Sequence, residues 1–144
     1  MPDADDAAVN AELAALLATV NTIALIGASW KRTRPAHRVM AYLLDKGFQV
    51  IPVNPGHAGK EILGQRVYAR LSDIPRPVDM VDIFRPSEEV PAIVAEALRL
   101  PVPPRIIWMQ LGVFHDDAAQ AASKRGLTVV MNRCPKIVLE QALA

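Results

Sequence analysis

Thr22-Ile23-Ala24-Leu25-Ile26-Gly27-Ala28-Ser29-Trp30-Lys31-Arg32-Thr33-Arg34-Pro35 is the stretch from which the fold can be read. Four apolar residues follow Thr22 without polar alternation, which predicts a strand buried on both faces. Gly27 stops it. Pro35 lacks an N–H and has its φ preset, so it suits the first turn of a helix over residues 35–46, with Gly47 as the stop. Strand, glycine, loop and helix together form the opening unit of a parallel α/β domain.

Working outward, the same cycle repeats. A helix is predicted over residues 5–20, with Val9, Leu13, Leu16, Leu17 and Val20 on one face. Further strands are predicted at 48–53, 78–84, 105–109 and 127–131. Pro52 cannot donate to a ladder, so the second strand belongs at an edge or ends there. Helices are predicted from Ser87 to about Arg99, with Ser87 as cap, over 116–125, and from about Pro135. Residues 54–77 form the one long irregular stretch. The expected fold class is α/β: a doubly wound, five-stranded parallel sheet of Rossmann-like form, as a single domain over 1–144.

The chain has 144 residues and a formal net charge of +1, which gives no reason to expect a nucleic-acid or membrane-surface binder. Its one cysteine excludes an intrachain disulfide and a four-cysteine zinc site. With an acidic N-terminus and no apolar run of membrane-spanning length, a cytoplasmic protein is expected. The neutral total conceals an asymmetry. Four acids fall by Glu12, and then none appears before Asp45, while Lys31, Arg32, Arg34 and Arg38 all lie between.

In a doubly wound sheet, ligands sit beyond the carboxyl ends of the strands, so the residues there are the candidates. Gly27, Ala28 and Ser29, with the four cations, match a phosphate site built from backbone N–H groups and positive charge. After the second strand come Val53, Asn54, Pro55 and His57, where an NAD site would want an acid on the ribose. Asn54 in that place, with His57 and Lys60 nearby, suits a phosphorylated ribose better. Ile83, Phe84 and Arg85 follow the third strand. Gln110 and Gly112 follow the fourth, where an amide offers both a donor and an acceptor. Cys134 follows the fifth, and it reads as a packing residue or as a thiol activated by Arg133 and Lys136. His37, His57 and His115 show no metal-ligand spacing.

Five blocks in register carry a resemblance: Ile26-Gly27-Ala28-Ser29, Val50-Ile51-Pro52-Val53-Asn54-Pro55, Val81-Asp82-Ile83-Phe84-Arg85, Trp108-Met109-Gln110-Leu111-Gly112 and Asn132-Arg133-Cys134. Together they resemble the CoA-binding domain shared by the succinyl-CoA synthetase alpha subunit and a family of small stand-alone CoA-binding proteins. The resemblance implies coenzyme A or an acyl-CoA as ligand. Residues 27–34 would hold the diphosphate, Val53 to His57 would line the adenosine side, and Ile83 to Arg85 would border the cleft. Gln110 and Gly112 would lie beside the pantetheine path. The synthetase acts through a phosphorylated histidine in a second domain, for which 144 residues leave no room. The expectation is therefore a non-catalytic binding or regulatory module, as a homodimer or with a partner enzyme. The alternatives are an NAD(P)-type oxidoreductase and an acyl-transfer enzyme using Cys134.

Overall fold

The computed structural model describes residues 4–142. In chain order the elements are α1 (Ala4–Leu17), β1 (Thr22–Ile26), α2 (Pro35–Asp45), β2 (Gln49–Val53), β3 (Glu61–Ile62), β4 (Gln65–Arg66), β5 (Met80–Ile83), α3 (Val90–Leu98), β6 (Ile106–Met109), α4 (Asp116–Lys124), β7 (Thr128–Val130) and α5 (Pro135–Ala142). Five strands form a parallel sheet in the order β2-β1-β5-β6-β7, with Leu25 opposite Pro52 and Asp82, and Asp82 opposite Trp108. The order reverses between β1 and β5, and a cleft opens at that switch point. Among the described residues no helix is long and apolar enough to cross a membrane.

Side-chain alternation divides the core. Ile23, Leu25, Met80, Ile106 and Trp108 face one layer, where α1, α2 and α5 contribute Leu17, Met40, Leu43 and Val138. Ala24, Ile26, Val81, Ile83, Ile107 and Met109 face the other, against Val94 and Ala97 of α3 and Ala118 and Ala122 of α4. This two-sided burial is why the strands read as apolar runs rather than as alternating ones.

The structure differs from the sequence expectations at three places. The first helix ends at Leu17, and Val9 is exposed while Asn10 is buried, its amide donating to the side-chain carbonyl of Gln141 on α5. The rest of the expected face holds, with Leu17 and Val20 buried and Leu13 and Leu16 packed against the core. Residues 54–77 are not wholly irregular. They hold the antiparallel pair β3–β4, and Tyr68 bridges the edge of β2, donating its N–H to Pro52 and accepting at its carbonyl from the N–H of Asn54. Pro52 sits on that edge strand, where its missing N–H costs no ladder bond. Third, Ser87 caps no helix through its side chain. A 3₁₀ turn, Ser87–Glu89, precedes α3, and the Ser87 hydroxyl instead accepts from the N–H of Phe114 at 3.1 Å. The fourth helix begins at Asp116 as expected, capped by His115, whose Nδ1 accepts from the N–H of Ala118.

Candidate functional site

The β1–α2 loop starts with a glycine that no other residue could replace without distortion. Gly27 has φ +89°, and a Cβ there would stand 2.8 Å from the carbonyl oxygen of Phe84 at the end of β5. Its N–H and that of Ala28 both turn to the carbonyl of Val53, at 3.0 and 3.3 Å. Those two amides are therefore committed to the scaffold. The Ser29 hydroxyl accepts from the N–H of Lys31, and the N–H of Arg34 goes to the carbonyl of Lys31. Ser29, Trp30, Arg32 and Thr33 keep N–H groups without a protein partner among the described residues. The donors offered to a ligand thus lie further along the loop than the glycine itself.

Charge follows the same layout. Lys31, Arg32, Arg34 and Arg38 form no ion pair among the described residues; the Arg38 guanidinium reaches only the carbonyl of Thr33. Arg85 differs, because its guanidinium is held by Glu89 at 2.8 Å. In an exposed setting such a pair is worth only ~0.2–1 kcal/mol, so an incoming phosphate can compete for Arg85.

Two asparagines join neighbouring loops across the strand ends. Asn54 accepts from the N–H of Gly56 at Oδ1 and donates from Nδ2 to the carbonyl of Ala28 at 2.8 Å. Asn132, at φ +57°, accepts from the N–H of Gly112 at 2.7 Å, and its own N–H donates to the carbonyl of Val113. The indole N–H of the buried Trp108 donates to the carbonyl of Arg133 and draws in the β7–α5 loop. The cleft walls are held by side-chain-to-backbone bonds of about 1 kcal/mol each.

Three depressions meet along this edge. A basic lobe of about 440 Å³ is lined by Gly27, Ala28, Ser29, Trp30, Lys31, Arg34, Asn54, His57, Phe84 and Arg85. An adjoining lobe of about 610 Å³ is mainly apolar, with Val39, Phe84, Pro86, Leu111, Val113, Cys134 and Ile137 beside Arg38, Gln110, Gly112 and Lys136. The third, about 440 Å³, is bordered by Gly27, Val53, Asn54, Pro55, Arg70, Arg85, Glu89 and Glu96. Arg85 lines all three. An anionic group, an apolar arm and a polar ring system could occupy them in one continuous ligand.

The sequence profile described as CoA binding domain matches residues 21–140. The chain belongs to this family of CoA-binding domains. A Bacillus subtilis relative, the uncharacterised protein YneT, is 35% identical over 127 residues, which cover 88% of this chain and 91% of that protein. A Pyrococcus horikoshii protein of known structure, described as hypothetical, superposes with a TM-score of 0.86 at 33% identity, over 94% of this chain and 92% of that one. The ADP-forming acetate–CoA ligase II of Archaeoglobus fulgidus is 36% identical over 77 residues, 52% of this chain but 11% of the ligase. This CoA-binding domain thus matches only a small portion of a much larger enzyme.

Most of the site residues expected from the sequence of this CoA-binding domain come together in the cleft. Two do not line it. Ile83 is fully buried on the α3–α4 side of the sheet, and Arg32 is exposed outside all three lobes. Val53 is buried too, yet it borders the third lobe. Trp30 stands 59% exposed over the basic lobe, free to cover a ring, whereas Trp108 is core.

Sequence reasoning missed Arg70, Glu89 and Glu96, whose places in the lining depend on loop and helix packing, whereas Lys136, expected beside Cys134, does share its lobe. It also missed Asp82. That residue is fully buried between Leu25 and Trp108 in register, and neither carboxylate oxygen has a partner among the described residues. Burial alone raises its pKa well above the usual carboxylate range. The signal was present in Val81-Asp82-Ile83, an acid inside an apolar strand.

Proposed function

We propose that the protein binds coenzyme A, free or acylated, in this cleft, and acts as a binding or regulatory module. The observation that carries the reading is the basic lobe. Lys31 and Arg34 line it without a carboxylate partner among the described residues, beside loop amides that none of those residues accepts from. A phosphomonoester brings about −1.5 to −2 charge at pH 7, and each charge-assisted hydrogen bond to such a group is worth roughly 1.5–3 kcal/mol. The diphosphate and 3′-phosphate would sit here. The pantetheine arm would run past Pro35 and Phe84, which border both lobes, toward Gln110 and Gly112. Adenosine would lie toward Val53, Asn54 and Pro55.

An NAD-type ligand fits less well. Asn54 stands where a ribose-binding acid would be needed, and its side chain already bonds Ala28 and Gly56. Titration calorimetry with CoA, dephospho-CoA and NAD tests the proposal. CoA is expected to bind tightest, with an affinity that falls as salt rises. Equal affinity for all three would refute the phosphate assignment.

A further inference from the structure

Cys134 lines the apolar lobe, and 7% of its surface remains exposed. The same lobe contains Gln110, which is 94% buried and whose side-chain carbonyl has no hydrogen-bond partner among the described residues. A buried amide oxygen without a partner is costly, so a donor from outside the chain is expected to meet it. The amide-rich arm of CoA carries such donors, and it ends in a sulfur. Pro35, Phe84 and Arg85 border both this lobe and the basic one, so an arm anchored by its phosphates leads toward the cysteine. Cys134 is also the only cysteine of the chain, so any disulfide it forms is to an outside thiol.

We propose that Cys134 is a site of thiol–disulfide exchange directed by the CoA cleft, with CoA disulfide as the reactant. The inference rests on the CoA-binding reading above. The Cys134 thiolate attacks one sulfur of the disulfide, and a Cys134–S–S–CoA bond forms as the original S–S bond breaks. The departing half leaves as CoA thiolate and takes up the proton lost by the Cys134 thiol. Cys134 is oxidised, one CoA half is reduced, and no further oxidant is needed. A small thiol in excess reverses the step. The adduct fills the lobe and blocks a second CoA, so the binding state of the protein follows the thiol–disulfide balance of the CoA pool.

The test is intact-protein mass spectrometry of the reduced wild-type protein mixed with CoA disulfide, with glutathione disulfide in a parallel sample. The expected result is a single adduct of one CoA, reversed by dithiothreitol and absent in Cys134→Ser. It should form about tenfold or more faster than the glutathione adduct, because the cleft concentrates the reactant at the thiol. Preincubation with a CoA analogue that lacks sulfur should slow it. Equal rates for the two disulfides, or no adduct at all, would overturn the proposal. Calorimetry of CoA on Cys134→Ser reads the binding assignment separately. If CoA binds that variant while the wild type forms no adduct, exchange fails and the binding reading stands. If CoA binds neither protein and the rates are equal, both fail.

Discussion

Replacing Asp82 by Asn is expected to abolish one component of the pH dependence of stability. Asp82 lies fully buried in the central strand β5 without a hydrogen-bond partner among the described residues, and burial raises its pKa in the folded chain. In the unfolded chain it titrates near 3.9. Above that pH the folded state still holds a proton that the unfolded state has released. Stability is therefore greatest below the unfolded pKa and falls as pH rises toward the folded value, by as much as about 1.4 kcal/mol per pH unit. Across two units, from pH 5 to pH 7, the loss reaches at most about 2.7 kcal/mol, a large share of the ~5–15 kcal/mol available to a domain. Asn is nearly isosteric and does not titrate. Its advantage over Asp should be small near pH 4 and widen as pH rises toward the folded pKa. Urea unfolding of both proteins at half-unit steps from pH 4 to pH 8 reads this directly, with the m-value as a check that the unfolded reference is unchanged. Asp79 does not confuse the result. Burial pushes its carboxyl up, but bonds from the Thr22 and Asn21 N–H groups and the charge of Arg105 outweigh that and leave its pKa lowered. Its contribution is present above the usual carboxylate range and is lost only on acidification below it. Parallel stability curves for wild type and Asp82→Asn would refute the reasoning.

Three further outcomes follow from the cleft. Gly27→Ala places a Cβ against the Phe84 carbonyl at a positive φ, so thermal unfolding should show a loss of about 1–3 kcal/mol, with weaker CoA binding. Asn132→Ala removes the acceptor for the Gly112 N–H and should cost about 1 kcal/mol in chemical unfolding. Its effect on CoA affinity in calorimetry should be smaller than that of Gly27→Ala. Arg34→Ala should weaken CoA binding about tenfold or more and flatten its salt dependence, since Arg34 lines the basic lobe. Arg32→Ala, outside the lobes, should change affinity by less than about threefold; the reverse ranking in a salt titration would place the phosphates elsewhere.

The architecture was legible because each strand carries its own signal. Apolar runs without alternation, with Gly27, Gly47 and Gly126 at element boundaries, locate β1, β2, β5, β6 and β7 to within two residues at each end. The basic loop was legible for the same reason, since its charges fall within eight residues of one another in the chain. Side chains that act across loops were not. Ser87 looked like a helix cap because it precedes two glutamates, yet its hydroxyl serves Phe114, 27 residues away. Val9 looked like core because it falls on a helical spacing, yet Asn10 is the buried residue through its bond to Gln141.

Local chemistry therefore decided the elements, their order and the place of the basic loop, because backbone preference and burial pattern act over a few residues. The tertiary structure alone decided which groups share the cleft. Hydrogen bonding committed the amides of Gly27 and Ala28 to Val53, and sheet packing left Asp82 and the side-chain carbonyl of Gln110 without partners among the described residues. It also brought Cys134 into the lobe of Gln110, 24 residues earlier in the chain. Such relations depend on long-range packing, in which one side chain's partner is set by the placement of every element between them.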